Sequence, residues 1–325
     1  MSTLACSDAR LRVVFPSVSR WIRRGALIIL IAVVACALAF LRADRPAAEV
    51  AARRGTPPST FIDVDGMRVH LRDRGAGPAI VLLHGSNASL FTWEGWAREL
   101  ASDHRVIAFD LPGHGLTGPH PADRYSHADM AEFVDHVVVA LGVDRFTLAG
   151  NSMGGYVAVL YALAHPGKVD HLVLVDSRGL PSEEPQPLVF RITGWPVVGR
   201  LFEAITPRFV VAANVRAVYG DPAKVSEENI NLYYDLLLRA GNRRAMRVRL
   251  SMQDDHLDVA RLRDLAMPVL ILWGARDRWV LPKYGARFHD AIPGSTLVVL
   301  DGLGHIPMEE DPVATAAAVR KFLTR

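Results

Sequence analysis

The sequence predicts an α/β fold built on a doubly wound, mostly parallel sheet. Two observations support this prediction. Short, continuously apolar runs recur along the chain, which is typical of parallel strands buried on both faces. Most of these runs are separated by segments with helical periodicity, and strands that alternate with helices indicate a doubly wound sheet. With 325 residues, 50% of them hydrophobic, the chain is large enough for one such domain with an insertion.

The chain begins with a basic segment, residues 1–24, followed by an apolar stretch at 25–41. Residues 1–54 contain nine arginines and three acidic residues, whereas the rest of the chain is mildly acidic. The apolar stretch has about 17 residues without a charge, which is at the short end for a membrane-spanning helix. The flanking charges slightly favour a cytoplasmic N-terminus. We therefore predict a retained membrane anchor with the folded body on the exported side.

Three alternatives to a retained anchor are open. The stretch Val33-Val34-Ala35-Cys36 resembles a lipobox, which would make Cys36 a lipidated first residue. The stretch Ala37-Leu38-Ala39 resembles a signal-peptidase site, and Arg23-Arg24 is a poor match to a twin-arginine signal. The anchor is favoured because the apolar run continues past Cys36 and no sharply polar segment follows it.

A linker rich in Ala, Arg and Pro, at 42–58, is predicted to lead into a folded domain at 59–325. A β-hairpin opens this domain, because apolar and polar residues alternate on both sides of Asp65-Gly66, a pair that suits a two-residue turn. The apolar runs predict buried strands at Ala79–Leu83, Arg105–Phe109, Phe146–Ala149, His171–Val175, Val269–Trp273 and Thr296–Leu300. Helical patterns lie at Trp93–Ala101, Ala128–Leu141, Tyr156–His165 and Val313–Leu323.

Residues 180–262 interrupt this alternation. They are rich in helical pattern and in proline, and no run within them matches the other strands. They fall between the sixth and seventh strand-like segments of the body. We predict that they form a helical cap over the carboxyl edge of the sheet.

The hexapeptide Gly150-Asn-Ser-Met-Gly-Gly155 lies between a predicted strand and a predicted helix. A serine with glycine two places before and after it matches a sharp strand-to-helix turn, where small flanking residues let the two segments pack closely. Such a turn places the hydroxyl of Ser152 in a cleft and makes Ser152 the predicted nucleophile. It also leaves the amide of Met153 unpaired at a helix N-terminus, where it can stabilise an oxyanion.

A nucleophilic serine needs a base that takes its proton and an acid that orients this base. His305 follows the last predicted strand through a glycine-rich loop, and Asp277 follows the strand before it. Both are thus at carboxyl ends of strands, the edge at which active sites of such sheets form. Asp176 also follows a strand and is the main rival of Asp277 for the acid. The order Ser152, Asp277, His305 is the order found in hydrolases with this turn.

The second oxyanion donor is expected in the loop after the first parallel strand, which runs into His84-Gly85-Ser86. We assign it to the amide of Ser86, with the amide of Met153 as its partner, and expect His84 to brace the loop. The mildly acidic body argues against a nucleic-acid partner. Both cysteines precede the body, and the chain has no H-E-x-x-H motif, so no metal is expected. The absence of G-x-x-x-x-G-K argues against a phosphate-loop site.

Five stretches resemble the α/β-hydrolase fold superfamily, from about residue 60 to the end of the chain. They are HGSNAS at 84–89, FDLPGHG at 109–115, GNSMGG at 150–155, WGARD at 273–277 and GLGHIPMEEDP at 302–312. The resemblance implies a Ser152–His305–Asp277 triad, an acyl-enzyme intermediate and no cofactor. Serine as the nucleophile departs from the dehalogenase and epoxide-hydrolase branches, in which aspartate is expected.

The sequence favours an ester hydrolase acting on a small-molecule ester or other acyl substrate. GNSMGG is similar to the elbow of some bacterial lipases and also to that of meta-cleavage-product hydrolases, which cut carbon–carbon bonds. The latter typically have Trp after the catalytic histidine, where this chain has Ile306. A catalytically silent binding protein is the third alternative. Apolar cap residues suggest an acyl or aromatic substrate, although they also suit simple packing: Leu188, Phe190, Trp195, Phe202 and Tyr219.

Overall fold

The computed structural model of the protein describes residues 20–184, 195–252 and 256–324. The chain divides into two units, Met1–Leu41 and Arg42–Arg325. The first unit contains helix α1 (Arg20–Ala39). Across the described ranges, no helix has both the length and the apolarity needed to cross a membrane. The membrane segment predicted at 25–41 is therefore not supported by the structure.

Eight strands of the second unit form one sheet. They are β1 (Thr60–Val64), β2 (Met67–Arg74), β3 (Ala79–Leu83), β4 (Arg105–Phe109), β5 (Phe146–Asn151), β6 (Val169–Val175), β7 (Val269–Gly274) and β8 (Thr296–Leu300). Their order is β1-β2-β4-β3-β5-β6-β7-β8. β2 pairs antiparallel with β1 and β4, and the pairs from β4 to β8 are parallel. The predicted mostly parallel sheet is thus confirmed.

Helices cover both faces of this sheet. The α-helices of the second unit, within the described residues and including those of the cap, are α2 (Ala47–Arg54), α3 (Glu94–Leu100), α4 (His127–Ala140), α5 (Met153–Ala164), α6 (Pro196–Ala204), α7 (Arg208–Ala217), α8 (Glu227–Leu237), α9 (Asn242–Ser251), α10 (Pro282–Ala291), α11 (Pro307–Glu310) and α12 (Pro312–Leu323). Successive side chains of β3 belong to different cores: Val81 is part of the core that also contains residues of α4, α5 and α10, and Leu82 is part of the core that contains residues of α3 and α12. Burial on both faces explains why the strands appear in the sequence as unbroken apolar runs.

Helices α6 to α9 lie between β6 and β7, and we call residues 180–262 the cap. The cap touches loops at the carboxyl ends of strands. Arg249 of α9 donates to Ser86 Oγ in the loop after β3, at 2.9 Å. The carbonyl of Val218 accepts from the amide of His305 in the loop after β8, at 2.7 Å.

The stretch expected to be a linker, 42–58, contains helix α2, which is docked on the cap. Val50 of this helix is fully buried beside Leu236 of α8. Asp235 of α8 forms ion pairs with Arg45 and Arg54. The composition of this stretch does not reveal the docking, because its partners lie about 180 residues further along the chain.

Candidate active site

Ser152 occupies the junction between β5 and α5 with φ 52° and ψ −115°. Positive φ is unfavourable for a residue with a side chain, and such strain persists where the surrounding structure holds it in place. Here the neighbouring glycines permit the turn. A Cβ atom on Gly150 would lie 2.2 Å from the carbonyl oxygen of Gly154, and one on Gly154 would lie 2.3 Å from that of Leu83. No side chain fits at either position.

His305 and Asp277 come together although they follow different strands. His305 Nδ1 lies 2.7 Å from Asp277 Oδ2. The other carboxylate oxygen of Asp277 accepts from the backbone amides of Trp279 (2.7 Å) and Val280 (3.1 Å). A proton on Nδ1, donated to this carboxylate, leaves Nε2 of His305 as an acceptor. Ser152 and His305 line the same cavity.

Asp176 lies beside this pair but is held differently. An oxygen of Asp176, an oxygen of Asp277 and a ring nitrogen of His305 all lie within 4.8 Å of one another. Oδ1 of Asp176 accepts from the amide of Gly274 at 2.9 Å, whereas its Oδ2 is buried with no hydrogen-bond partner in the described chain. Burial raises the pKa of Asp176 well above its ordinary value, and the Asp277 carboxylate raises it further. A protonated Asp176 can donate to Asp277, which leaves Asp277 as the charged partner of the histidine.

The two residues predicted to supply oxyanion donors also meet at the cavity. Ser86 and Met153 both line it, and Ser86 Oγ lies 3.5 Å from Met153 Sδ. His84 braces the loop, as its Nδ1 lies 2.8 Å from the carbonyl oxygen of Gly85 and its Nε2 accepts from the amide of Leu111 at 3.0 Å. Burial lowers the pKa of His84, which favours the neutral ring that this pair of contacts requires.

Two polar side chains that the sequence analysis did not single out connect the site. Asn151 Nδ2 donates to the carbonyl oxygens of Val175 (3.1 Å) and His305 (3.0 Å), so it ties the serine turn to the histidine loop. The carboxylate of Glu310 accepts from the amides of Gly304 and Gly220, each at 2.8 Å, and ties the histidine loop to the cap. Both lie inside motifs quoted above, but His305, a partner of Asn151, and Gly220, a partner of Glu310, are distant from them in sequence.

The cavity has a volume of about 620 Å³ and is closed on one side by the cap. Of the apolar cap residues expected to contact substrate, Phe202 lines it. Trp195 is 57% exposed, and Tyr219 is buried with its hydroxyl donating to Glu309 at 2.7 Å. Leu188 and Phe190 lie outside the described residues.

Residues 78–312 match the α/β hydrolase fold family, and the chain belongs to this family. It is 32% identical over 295 residues to an uncharacterized protein of Mycobacterium tuberculosis, covering 86% of this chain and 84% of the relative. It is 29% identical over 263 residues to a 2-hydroxy-6-oxononadienedioate/2-hydroxy-6-oxononatrienedioate hydrolase of Pseudomonas putida, covering 74% and 85%. Among solved structures, a membrane phospholipase A, a bacterial virulence factor, is similar with a TM-score of 0.70 and 27% identity, covering 93% and 97%. The chain is thus a hydrolase-family protein, as the sequence predicts.

Proposed function

We propose that the protein is a serine hydrolase that cleaves carboxylic esters of small molecules through an acyl-enzyme. One observation carries the proposal: the Asp277–His305 pair, joined at 2.7 Å, lines one cavity with a serine on a strained strand-to-helix turn. Each of these groups has a defined task in ester hydrolysis. A similar solved structure is a phospholipase, a class of ester hydrolase.

In the first half of the reaction, Ser152 Oγ attacks the ester carbonyl while its proton passes to His305 Nε2. Asp277 keeps the imidazole in the tautomer with Nδ1 protonated and stabilises the cation that forms. The amides of Ser86 and Met153 donate to the oxyanion. The tetrahedral intermediate then collapses, the alcohol leaves with the proton from His305, and the acyl group stays on Ser152.

In the second half, water attacks the acyl-enzyme. His305 takes a proton from this water, the oxyanion forms again in the same position, and Ser152 leaves with the proton that His305 returns. The carboxylic acid is released and the free enzyme is restored. Both halves of the reaction use the same groups. Because Ser152 carries the acyl group between the two halves, loss of Ser152 removes the covalent route entirely.

The test is hydrolysis of short p-nitrophenyl esters by the purified protein. We expect Ser152→Ala to lower turnover about 10⁴-fold or more, and we expect a fluorophosphonate probe to label the wild type but not this variant. Labelling at another residue, or full activity of Ser152→Ala, would reject the triad. A protein that neither turns over esters nor reacts with the probe would be a binding protein with a silent site.

Carbon–carbon bond hydrolysis is the second candidate, because the Pseudomonas putida relative is a hydrolase of 2-hydroxy-6-oxononadienedioate. The residue after His305 favours ester hydrolysis. It is Ile306, which lines the cavity and has no polar side-chain group, whereas meta-cleavage-product hydrolases typically have Trp at this position. Turnover of a 2-hydroxy-6-oxo-dienoate with negligible esterase activity would reverse this order of preference.

The membrane-attached, exported location stays a prediction from the sequence. Its test is the intact mass of the protein recovered from cells, together with its distribution between soluble and membrane fractions. A mature chain starting at Cys36 would indicate lipidation, and one starting after Ala39 would indicate signal-peptide cleavage.

A further inference from the structure

One positive charge in the cavity wall has no carboxylate partner among the residues that the structure describes. Helix α9 carries four arginines. Three of them pair with carboxylates: Arg243 with Asp44, Arg244 with Asp123, and Arg247 with Glu203. The fourth, Arg249, has neutral hydrogen-bond partners, and no carboxylate is paired with it in the described parts of the chain.

Arg249 lies on the face of α9 that lines the cavity. Met246 and Leu250, three residues before and one residue after it, line the cavity as well, and positions three and four apart share one face of a helix. The Nη1 group donates to Ser86 Oγ at 2.9 Å and the Nη2 group donates to Asn87 Oδ1 at 3.0 Å. A guanidinium has five N–H donors, so donors remain for a ligand.

The other charges of the cavity do not neutralise Arg249. Arg178 also lines the cavity, and burial together with the charge of Arg178 lowers the pKa of Arg249 to about 10. Arg249 therefore still carries its charge at neutral pH. Among the described residues that line the cavity, Glu184 is the one acid, and Lys283 (2.5 Å) and the hydroxyl of Tyr284 (2.5 Å) engage its carboxylate.

A half-buried cation without a counter-ion is unfavourable, and an anionic ligand that binds there offsets its desolvation. A guanidinium also matches the geometry of carboxylate and phosphate oxygens. We propose that Arg249 forms an anion subsite, and that the preferred substrates are esters that carry a second, negatively charged group. This inference rests on the proposed function, since it names the substrate class of the same site.

The test compares esters that differ by one charge. The first pair is mono-(4-nitrophenyl) adipate and 4-nitrophenyl hexanoate, which place the charge on the acyl side. The second pair is 4-acetoxybenzoate and its methyl ester, which place a carboxylate on the alcohol side, and 4-acetoxyphenyl phosphate gives the phosphate form. For each pair, the anionic-to-neutral ratio of kcat/KM is measured in the wild type and in Arg249→Gln.

We expect Arg249→Gln to lower this ratio at least tenfold for one pair, and Arg249→Lys, which keeps the charge, to retain part of the preference. Arg244→Gln is the matched control, because this exposed arginine of the same helix pairs with Asp123 away from the cavity; its ratio should equal that of the wild type. If Arg249 only braces the Ser86 loop, both rates fall together and the ratio is constant. A constant ratio for every pair overturns the proposal.

Failure of the subsite and failure of the proposed function give different results. If no ester is hydrolysed, calorimetric titration of adipate into the wild type and Arg249→Gln still measures the subsite. Binding that is lost in Arg249→Gln supports the subsite without esterase activity. Ester hydrolysis with a constant ratio and no adipate binding retains the proposed function and rejects the subsite.

Discussion

The sheet body and the cap are stabilised in different ways. In the body, large side chains such as Trp96, Trp273 and Phe288 are fully buried between strands and helices. In the cap, α8 and α9 are held by ion pairs to distant segments, such as that of Asp235 with Arg54, while Val197 of α6 is 81% exposed. Both regions contain buried apolar side chains, such as Ile230 in the cap, but the cap depends in addition on ion pairs that join it to distant segments of the chain.

This difference has a functional consequence. The proposed nucleophile, base and acid all belong to the body, whereas the cap supplies the apolar wall of the cavity and Arg249. We therefore expect substitutions at the catalytic positions of the body to reduce the hydrolysis of every substrate. Substitutions in the cap should change stability and substrate preference.

The largest effect is expected for Asp277→Asn. Asparagine keeps the size of the side chain but no longer selects the required tautomer of His305, so kcat should fall about 10⁴-fold for all esters. Steady-state kinetics at saturating substrate measures it. Asp176→Asn is the control, since burial and the Asp277 carboxylate raise the pKa of Asp176 and favour its neutral form, which asparagine resembles; its kcat should stay within about tenfold of the wild type. Equal losses in both variants would mean that the two acids share the role.

The next effect tests the packing of the serine turn. A Cβ atom at Gly154 would lie 2.3 Å from the backbone oxygen of Leu83, which cannot move without shifting β3. Gly154→Ala should therefore lose about 2 kcal/mol or more of unfolding free energy, together with most of the activity. Urea denaturation and ester turnover provide the two measurements. Gly167→Ala, where nothing lies within 4 Å, should stay within about 0.5 kcal/mol.

A smaller effect is expected from the cap. Asp235→Asn removes the charge that pairs with Arg45 and Arg54, which should cost about 1–3 kcal/mol of unfolding free energy. Because the catalytic groups are elsewhere, kcat should change less than about threefold. The control is Asp170→Asn, which breaks an exposed pair with Arg145 in the body and should cost about 0.5 kcal/mol or less. Loss of all ester turnover in Asp235→Asn would contradict the division between body and cap.

The most gradual effect concerns Asp176, and it amounts to at most about 1.4 kcal/mol of unfolding free energy for each pH unit. Burial raises its pKa in the folded state, so the folded protein binds this proton more tightly than the unfolded chain does. Stability from this group is complete below its ordinary pKa, near 3.8, and is lost as the pH rises toward the raised value. The gain in unfolding free energy of Asp176→Asn relative to the wild type should therefore grow above about pH 4. A difference that is independent of pH would show that Asp176 is ionised.

Much of the body could be predicted from the sequence, because its signals are local. The predicted strand at 79–83 matches β3 residue for residue, since a run of five apolar residues is typical of a parallel strand that is buried on both faces. The turn at Asp65-Gly66 was also predicted from adjacent residues, and both residues have the expected positive φ, 53° and 72°. Helix α10 was not predicted, because its apolar residues Tyr284 and Phe288 are too few to give a clear period.

The sequence by itself determined the sheet, the family, and the order of Ser152, Asp277 and His305 along the chain. Tertiary structure decided which acid contacts the histidine, since Asp176 and Asp277 both follow strands and differ in the donors around them. It also decided that α2 docks on the cap and that Arg249 of α9 faces the cavity with no carboxylate paired to it in the described part of the chain. Apolar periodicity is a pattern among residues that are close in sequence, so it can be recognised without a structure. A charged side chain can pair with a residue about 200 positions away, as Arg243 does with Asp44, and only the folded chain brings such residues together.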